Sequence, residues 1–386
     1  MSNKNLALLG LAALVMVIVA VVQSRRAESP AATDRGAPSY LIQGLNIENV
    51  SEISVVGKGS SEATVLQRRQ NNFVVANKDD YPAHTENLND LITKTLDIKV
   101  LEKVTDNPEN FEELGVGPNL TQNVVRFLGE NEELIAGVAI SEKNDAGQSY
   151  VRLISSDDVY VASEVSSLKS AALDYVERQI LKVDLEQIQS VTVKDPNNSY
   201  TLISEPNSSE ITLNSYALIS EPNSNEITLK QGLPQGKQLK ETEAKNVFSA
   251  LTNVRFNDVF GASSAPQDLK FANTYTCRLN NPTVYTFKIA QENIDYYLKC
   301  GAVFTDTSDI YKEDTFESEE QLKKKEVKLL ARDAVQEFNN THKGWVYKIS
   351  EYEAEDLIRK LNDILEDIPQ EKETENSTET EQLSEQ

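Results

Sequence analysis

Apolar and polar positions along this chain follow two periods, and the order in which those periods occur repeats. Leu45, Ile47, Val50, Ile53 and Val55 correspond to Val183, Leu185, Ile188, Val191 and Val193. In both stretches the last apolar positions end in period-two alternation, as expected of a strand with one buried face. The first stretch is followed by apolar runs at Ala63–Leu66 and Phe73–Val75, then by a helical pattern from Thr85. The second is followed by Tyr200–Ile203 and Ile211–Leu213, then by a helical pattern near Thr242. Thr85 and Thr242 read as matching helix starts, because threonine accepts a hydrogen bond from a free backbone N–H. Strands at Leu96–Val100 and Val254–Phe256 come next. One module, copied once, would account for most of the chain.

The first copy, residues 40–181, carries Leu88, Leu91, Ile92 and Leu96 at helical spacing, a stripe read as core. Asn110–Pro118 reads as a helical turn stopped by Gly115 and Pro118. Val124–Leu128, Leu134–Ile140, Tyr150–Ile154 and Val159–Ala162 alternate as strands, and Leu168, Ala172, Tyr175, Val176 and Ile180 predict a closing helix.

In the second copy, residues 182–366, Tyr200–Ser215 is followed at once by a near copy, Tyr216–Gln231. Each reads as strand, Glu-Pro-Asn-Ser turn, strand, so 200–231 is expected to be a tandem hairpin insertion that extends a sheet edge or protrudes. Tyr275–Leu279, Val284–Ile289 and Asp295–Lys299 predict a meander. A second insertion, 304–343, contains an amphipathic helix over Glu319–Phe338, expected to dock through Leu322, Val327, Leu330, Ala334 and Phe338. Gly344–Ser350 is the last strand, and Ser350-Glu-Tyr-Glu353 is a capping box opening a helix with Leu357, Ile358, Leu361 and Leu365 inward. Strands in runs, joined by occasional helices, predict an α+β fold of two repeated, mainly antiparallel domains.

Leu6–Val22 is an unbroken apolar run, about 26 Å long at 1.5 Å per residue and so close to a bilayer core. Gln23-Ser24-Arg25-Arg26 lacks the small residues of a cleavage site, so residues 1–26 read as an uncleaved single transmembrane helix that meets the lipid through residues 6–22. Arg25 and Arg26 outweigh Lys4 in the positive-inside count, whereas the very short N-terminal tail is that of a signal anchor with the bulk exported. The exported orientation is adopted. Residues 27–39 read as a flexible linker and 367–386 as a disordered acidic tail.

A length of 386 residues suits two domains of ordinary size. The formal charge of −23 disfavours nucleic acid and electrostatic adhesion to anionic lipid. His84 and His342 are far apart in sequence, with no cysteine or paired carboxylate at ligand spacing, and no Gly-x-Ser-x-Gly elbow occurs. Gly57-Lys58-Gly59-Ser60 lacks the first glycine of a phosphate loop and reads as a turn. No catalytic residue, cofactor or metal is therefore assigned, and the chain is read as not an enzyme. Cys277 and Cys300 fall on the first and third strands of the expected meander. Either the strand order differs or both are free thiols, since α-carbons flanking a middle strand stand roughly 9–10 Å apart, too far for a disulfide.

The N-terminal anchor, the Asn72-Phe-Val-Val strand leading to Tyr81-Pro82-Ala83, the Glu113-Leu-Gly-Val-Gly-Pro118 stop and Gly344-Trp-Val-Tyr347 together resemble a bacterial family known as a domain of unknown function (number 4340). The resemblance covers most of residues 40–366. It implies a membrane-tethered protein, often encoded beside ABC transporter permeases and gliding-motility-type auxiliary subunits. It brings no established catalytic residues. The expected function is an extracytoplasmic scaffold or accessory protein on the bacterial inner membrane, auxiliary to an ABC-transporter-type envelope system. Its bulk would lie in the periplasm or outside the cell, and its partner would be an envelope or transporter membrane protein. The alternative is small-molecule or glycan binding between the two repeats, lined by Tyr296, Tyr297, Trp345 and Tyr347.

Overall fold

Alternating apolar runs become antiparallel strands in both halves of the chain. The computed structural model describes residues 39–368, apart from 59, 61, 118–122, 164, 206–225 and 309–317. The expected anchor lies outside the described residues, as do the expected linker up to residue 38 and the expected acidic tail from residue 369; Ser39 and Asp367, assigned to linker and tail, are in strands. Among the described residues, no helix is long and apolar enough to cross a membrane. Two units are distinguished, Met1–Glu177 and Arg178–Gln386.

The first unit runs β1 (Ser39–Tyr40), β2 (Glu52–Val56), β3 (Thr64–Arg69), β4 (Asn72–Val75), β5 (Tyr81–Pro82), α1 (Thr85–Leu96), β6 (Lys99–Thr105), β7 (Asn123–Leu128), β8 (Leu134–Lys143), β9 (Ser149–Leu153) and β10 (Val159–Ser163). The second begins with β11 (Gln179–Leu181), β12 (Ile188–Lys194), β13 (Ser199–Glu205), β14 (Glu226–Leu229), β15 (Lys237–Leu239), α2 (Glu241–Ser249), β16 (Val254–Arg255) and β17 (Asp258–Gly261). It continues through β18 (Asn273–Leu279), β19 (Thr283–Glu292), β20 (Asp295–Phe304), α3 (Glu319–His342), β21 (Trp345–Ile349), α4 (Glu351–Ile358) and β22 (Leu365–Asp367).

The two large sheets share an order of strands. Taken from β4, the first runs β4-β3-β2-β7-β8-β9-β10-β6; the second runs β14-β13-β12-β18-β19-β20-β21-β17. Neighbours in both are antiparallel. The corresponding stretches Leu45–Val55 and Val183–Val193 take equivalent places. Each forms a 3-10 turn, Ile47–Asn49 or Leu185–Gln187, and then the strand β2 or β12. Val50, Ile53 and Val55 are buried, as are Ile188, Val191 and Val193, whereas Leu185 at the turn is exposed. Alternation therefore sets the buried face where the chain is extended and ceases to apply in the turn before it.

Phenolic hydroxyls tie helices to sheets. The buried Tyr275 on β18 donates to the Val247 carbonyl of α2 at 2.7 Å, and Tyr200 on β13 donates to the Arg359 carbonyl at 2.8 Å. In the first unit Arg152 on β9 is buried over the Phe111 ring, 4.4 Å away. Its guanidinium donates to the carbonyls of Val116 (3.1 and 3.0 Å) and Ser156 (3.0 Å), pinning the turn that Gly115 ends with φ +73°.

Five expectations are corrected. The threonines do not cap: His84 and Lys240 precede α1 and α2, neither with a side-chain cap bond, so Thr85 and Thr242 already lie inside their helices. The closing helix at 168–180 is absent. Only a 3-10 turn, Ala172–Tyr175, forms, because the Asp174 carboxylate accepts from the Ala171 N–H (3.1 Å) and the Tyr175 hydroxyl donates to Lys169 O, while Ile180 enters β11 and pairs with β16. In the tandem hairpin, the first strand of the first copy pairs with the last strand of the second, Leu202↔Leu229 to Glu205↔Glu226, and 206–225 lies outside the described residues. The C-terminal helix stops at Ile358, and Leu365 belongs to β22, paired with β15. Arg359 is held there by Glu243 and Asp356, each at 2.8 Å, with its own backbone extended.

The fifth correction concerns α3, which docks through a different face. Ala331, Val335, Phe338 and His342 are buried, whereas Leu322, Val327 and Leu330 are exposed by 54, 45 and 62% and Ala334 is exposed too. The helix packs on β19 and β20, and its buried residues all fall in the C-terminal half, so the stripe read from its N-terminal half stays exposed. The Ser350–Glu353 capping box forms as expected: Ser350 Oγ accepts from the Glu353 N–H and the Glu353 carboxylate from the Ser350 N–H, both at 3.2 Å.

Candidate functional site

The second sheet contains a place where two neighbouring strands part. β20 pairs with β19 over its whole length but with β21 only at Tyr296↔Ile349, Tyr297↔Lys348 and Leu298↔Tyr347. Past Leu298 the chain of β21 has turned away through Lys343 and Gly344. Gly344 holds φ +88° with open space around its α-carbon, so the left-handed backbone is what calls for glycine. Asn339 of α3 takes the vacated edge. Its Oδ1 accepts from the Ala302 N–H and its Nδ2 donates to the Ala302 carbonyl, both at 2.8 Å, imitating a strand partner. A half-open cavity of about 360 Å³ lies at this split, lined by Lys299, Cys300, Asn339, His342, Lys343 and Trp345 among others.

His342 closes the floor. Its Nδ1 is 2.6 Å from the Tyr347 hydroxyl, its ring lies 4.4 Å from Phe338, and Phe338 meets Tyr285 edge-on at 5.0 Å. Burial draws the imidazole down to about 4, against a backbone hydrogen bond to Ile180 that acts in the opposite direction. A carbonyl only accepts, so the ring N–H faces Ile180 and Nδ1 accepts from Tyr347. This neutral histidine, with both nitrogens engaged, fastens the end of α3 to β21.

Cys277 on β18 and Cys300 on β20 are free, separated by β19, where Cys277 lies opposite Tyr285 and Cys300 opposite Phe287. Burial pushes both thiols up to about 12, which keeps them protonated and poorly nucleophilic. The four aromatics singled out in the sequence all fall in the second unit, and among them only Trp345 lines the cavity. Tyr297 is buried with Ala290 and Val346, its ring 6.4 Å from Phe260. Tyr296, its neighbour on β20, is half-buried opposite Ile349. Tyr347 is fully buried, bonded to His342 and 5.0 Å from the Phe256 ring. Strand alternation sends adjacent residues to opposite faces, so the four cannot share one wall.

Lys299, Lys343 and Asn339 were not anticipated. The Lys343-Gly344 turn is the one local signal, and it marks the start of a strand without revealing that the strand diverges from β20. The two histidines fall in different units, His84 lying 3.3 Å from Glu177. Among the described residues, no group of three or more His, Cys, Asp or Glu stands ready to hold a metal ion.

No curated protein and no solved structure matches the chain. The family described as Domain of unknown function (DUF4340) matches residues 74–282, from β4 in the first unit to the turn before β19 in the second. That span is more than half of the 386 residues, and the chain therefore belongs to this family.

Proposed function

We propose that this protein is a membrane-tethered extracytoplasmic scaffold or accessory subunit, auxiliary to an ABC-transporter-type system of the bacterial envelope. Residues 6–22 serve as its single-pass anchor in the inner membrane, and the two α+β units lie outside the cytoplasm. No catalytic activity is part of this reading. The observation that carries it is the N-terminal half of α3. Leu322, Val327, Leu329 and Leu330 are exposed by 54, 45, 37 and 62% along one helix, among charges of both signs, Lys323, Glu326 and the Lys324–Glu320 and Arg332–Asp333 pairs. Neighbouring exposed apolar side chains rimmed by charge are the usual mark of a protein-binding surface. A membrane protein partner with a partly apolar face edged by charges of both signs fits it.

Two experiments bear on this. A periplasm-active reporter fused after Gln386 is expected to be active, and activity confined to a cytoplasmic reporter would remove the exported scaffold from consideration. Capture of the neighbouring permease subunit by the full chain in detergent is expected, and Leu322→Ser with Leu330→Ser is expected to abolish it without altering the circular dichroism spectrum. Capture that survives both substitutions refutes the role assigned to α3.

A further inference from the structure

The split between β20 and β21 has a charge pattern at odds with the rest of the chain. Overall the protein carries 61 acidic and 38 basic residues. Among the described residues, the cavity lining nevertheless contains Lys299 and Lys343 and no carboxylate. Lys288 lies directly opposite Lys299 across the β19–β20 ladder, a like-charge pair that costs stability in an antiparallel sheet. Lys288 and Lys343 have no ion-pair partner among the described residues, whereas nearby Lys348 is bridged to Asp295 at 2.8 Å. Lys299 rests over the Phe271 ring at 4.5 Å and has no ion-pair partner among the described residues.

The remaining lining restricts what such a site accepts. The Asn339 amide is committed to Ala302 and both His342 nitrogens are engaged, so neither side chain is free to reorient toward a ligand. Trp345 and Cys300 present mainly apolar surface. The C-terminal end of α3 also points here, where the last helical carbonyls carry partial negative charge. That field opposes a doubly charged anion more than a singly charged one. The volume is at the small end of ligand sites.

We infer that this cavity binds a small organic monocarboxylate, its carboxylate met by Lys299 and Lys343 and its apolar body lying against Trp345. Trp345 is the one tryptophan of the chain, so it reports its own surroundings. The test is a fluorescence titration of the full chain with sodium benzoate, its neutral isostere benzamide, and inorganic phosphate at constant ionic strength. Benzoate is expected to change Trp345 emission saturably with a Kd of about 1 mM or tighter, a modest affinity for so few atoms. Benzamide and phosphate are expected to bind at least about tenfold more weakly, the worth of one charge-assisted contact. Lys299→Gln and Lys343→Gln should each weaken benzoate by a similar factor without lowering the unfolding midpoint, Lys299→Gln also relieving the repulsion from Lys288. Absence of saturable benzoate binding up to about 10 mM, well beyond the expected Kd, overturns the inference. So does equal binding of benzamide, of phosphate, or of benzoate to both lysine variants. Saturation-transfer NMR on Trp345→Phe provides a readout that does not depend on fluorescence: weaker transfer to the benzoate ring is expected, and undiminished transfer refutes the stacking role.

Discussion

Acidification should loosen the second unit through His342. The imidazole is 7% exposed and burial draws it down to about 4, against an ordinary value of 6.5. A group whose folded value is depressed supports the fold fully above its unfolded value, and that support drains away as the pH falls toward the folded value. The unfolded chain takes up a proton near pH 6.5 that the folded chain resists until about pH 4, so the loss belongs to that window. At pH 5 it amounts to about 2 kcal/mol, and below both values to about 3 kcal/mol. Protonation would also put a donor on Nδ1, where Tyr347 now donates at 2.6 Å, and would leave a buried cation with no ion-pair partner among the described residues. Urea unfolding followed by Trp345 fluorescence at pH 7.5, 6 and 5 reads the second unit directly, since Trp345 lies three residues from His342 and is the only tryptophan. Carboxylates elsewhere contribute a background common to wild type and variant. His342→Gln retains a donor and an acceptor but cannot titrate, so its midpoint should fall between pH 7.5 and 5 by about 1 M urea less than that of the wild type. Parallel pH profiles for the two proteins would refute the assignment.

Asn339→Ala removes both bonds to Ala302 from the unpaired edge of β20, and the second unit should lose about 1–3 kcal/mol. Faster hydrogen exchange of the Ala302 amide is the local readout, and unchanged exchange would contradict the strand-mimic role. Arg152→Met retains the apolar stem over Phe111 but strands the Val116 and Ser156 carbonyls, costing the first unit about 2–4 kcal/mol. Amide exchange along β7, β8 and β9 measures this. Deleting residues 206–221 joins Glu205 to Pro-Asn-Ser-Asn and then Glu226, closing β13 onto β14 with a four-residue turn in place of twenty intervening residues. Shorter closure should stabilise the second unit by about 1 kcal/mol. A drop of several kcal/mol would show that the deleted stretch contributes packing of its own.

The sequence by itself determined the elements whose cause is local. Period-two runs marked β7 to β10 and β18 to β20, because alternation is written into successive residues. The stop at Gly115 and the Ser350 capping box were equally legible, since each depends on residues within one turn of the other. The correspondence between Leu45–Val55 and Val183–Val193 pointed to two modules; the two sheets share an order of eight strands. The α+β class followed from the succession of strands and helices.

Tertiary structure decided whatever depends on a partner distant in sequence. The stripe Leu322, Val327 and Leu330 is as helical as Ala331, Val335 and Phe338, yet only the second is buried as α3 packs on β19 and β20. The duplicated hairpin offered several equivalent strand pairings, and register chose β13 with β14. The cavity arises because β21 leaves β20 after Leu298 while Asn339, arriving from α3, takes the next edge position. No window along the chain contains that event, for β20, α3 and β21 meet there only once the sheet has formed. Local spacing sets the period of an element, but its covered face is set by which remote surface arrives to bury it, a matter of long-range packing.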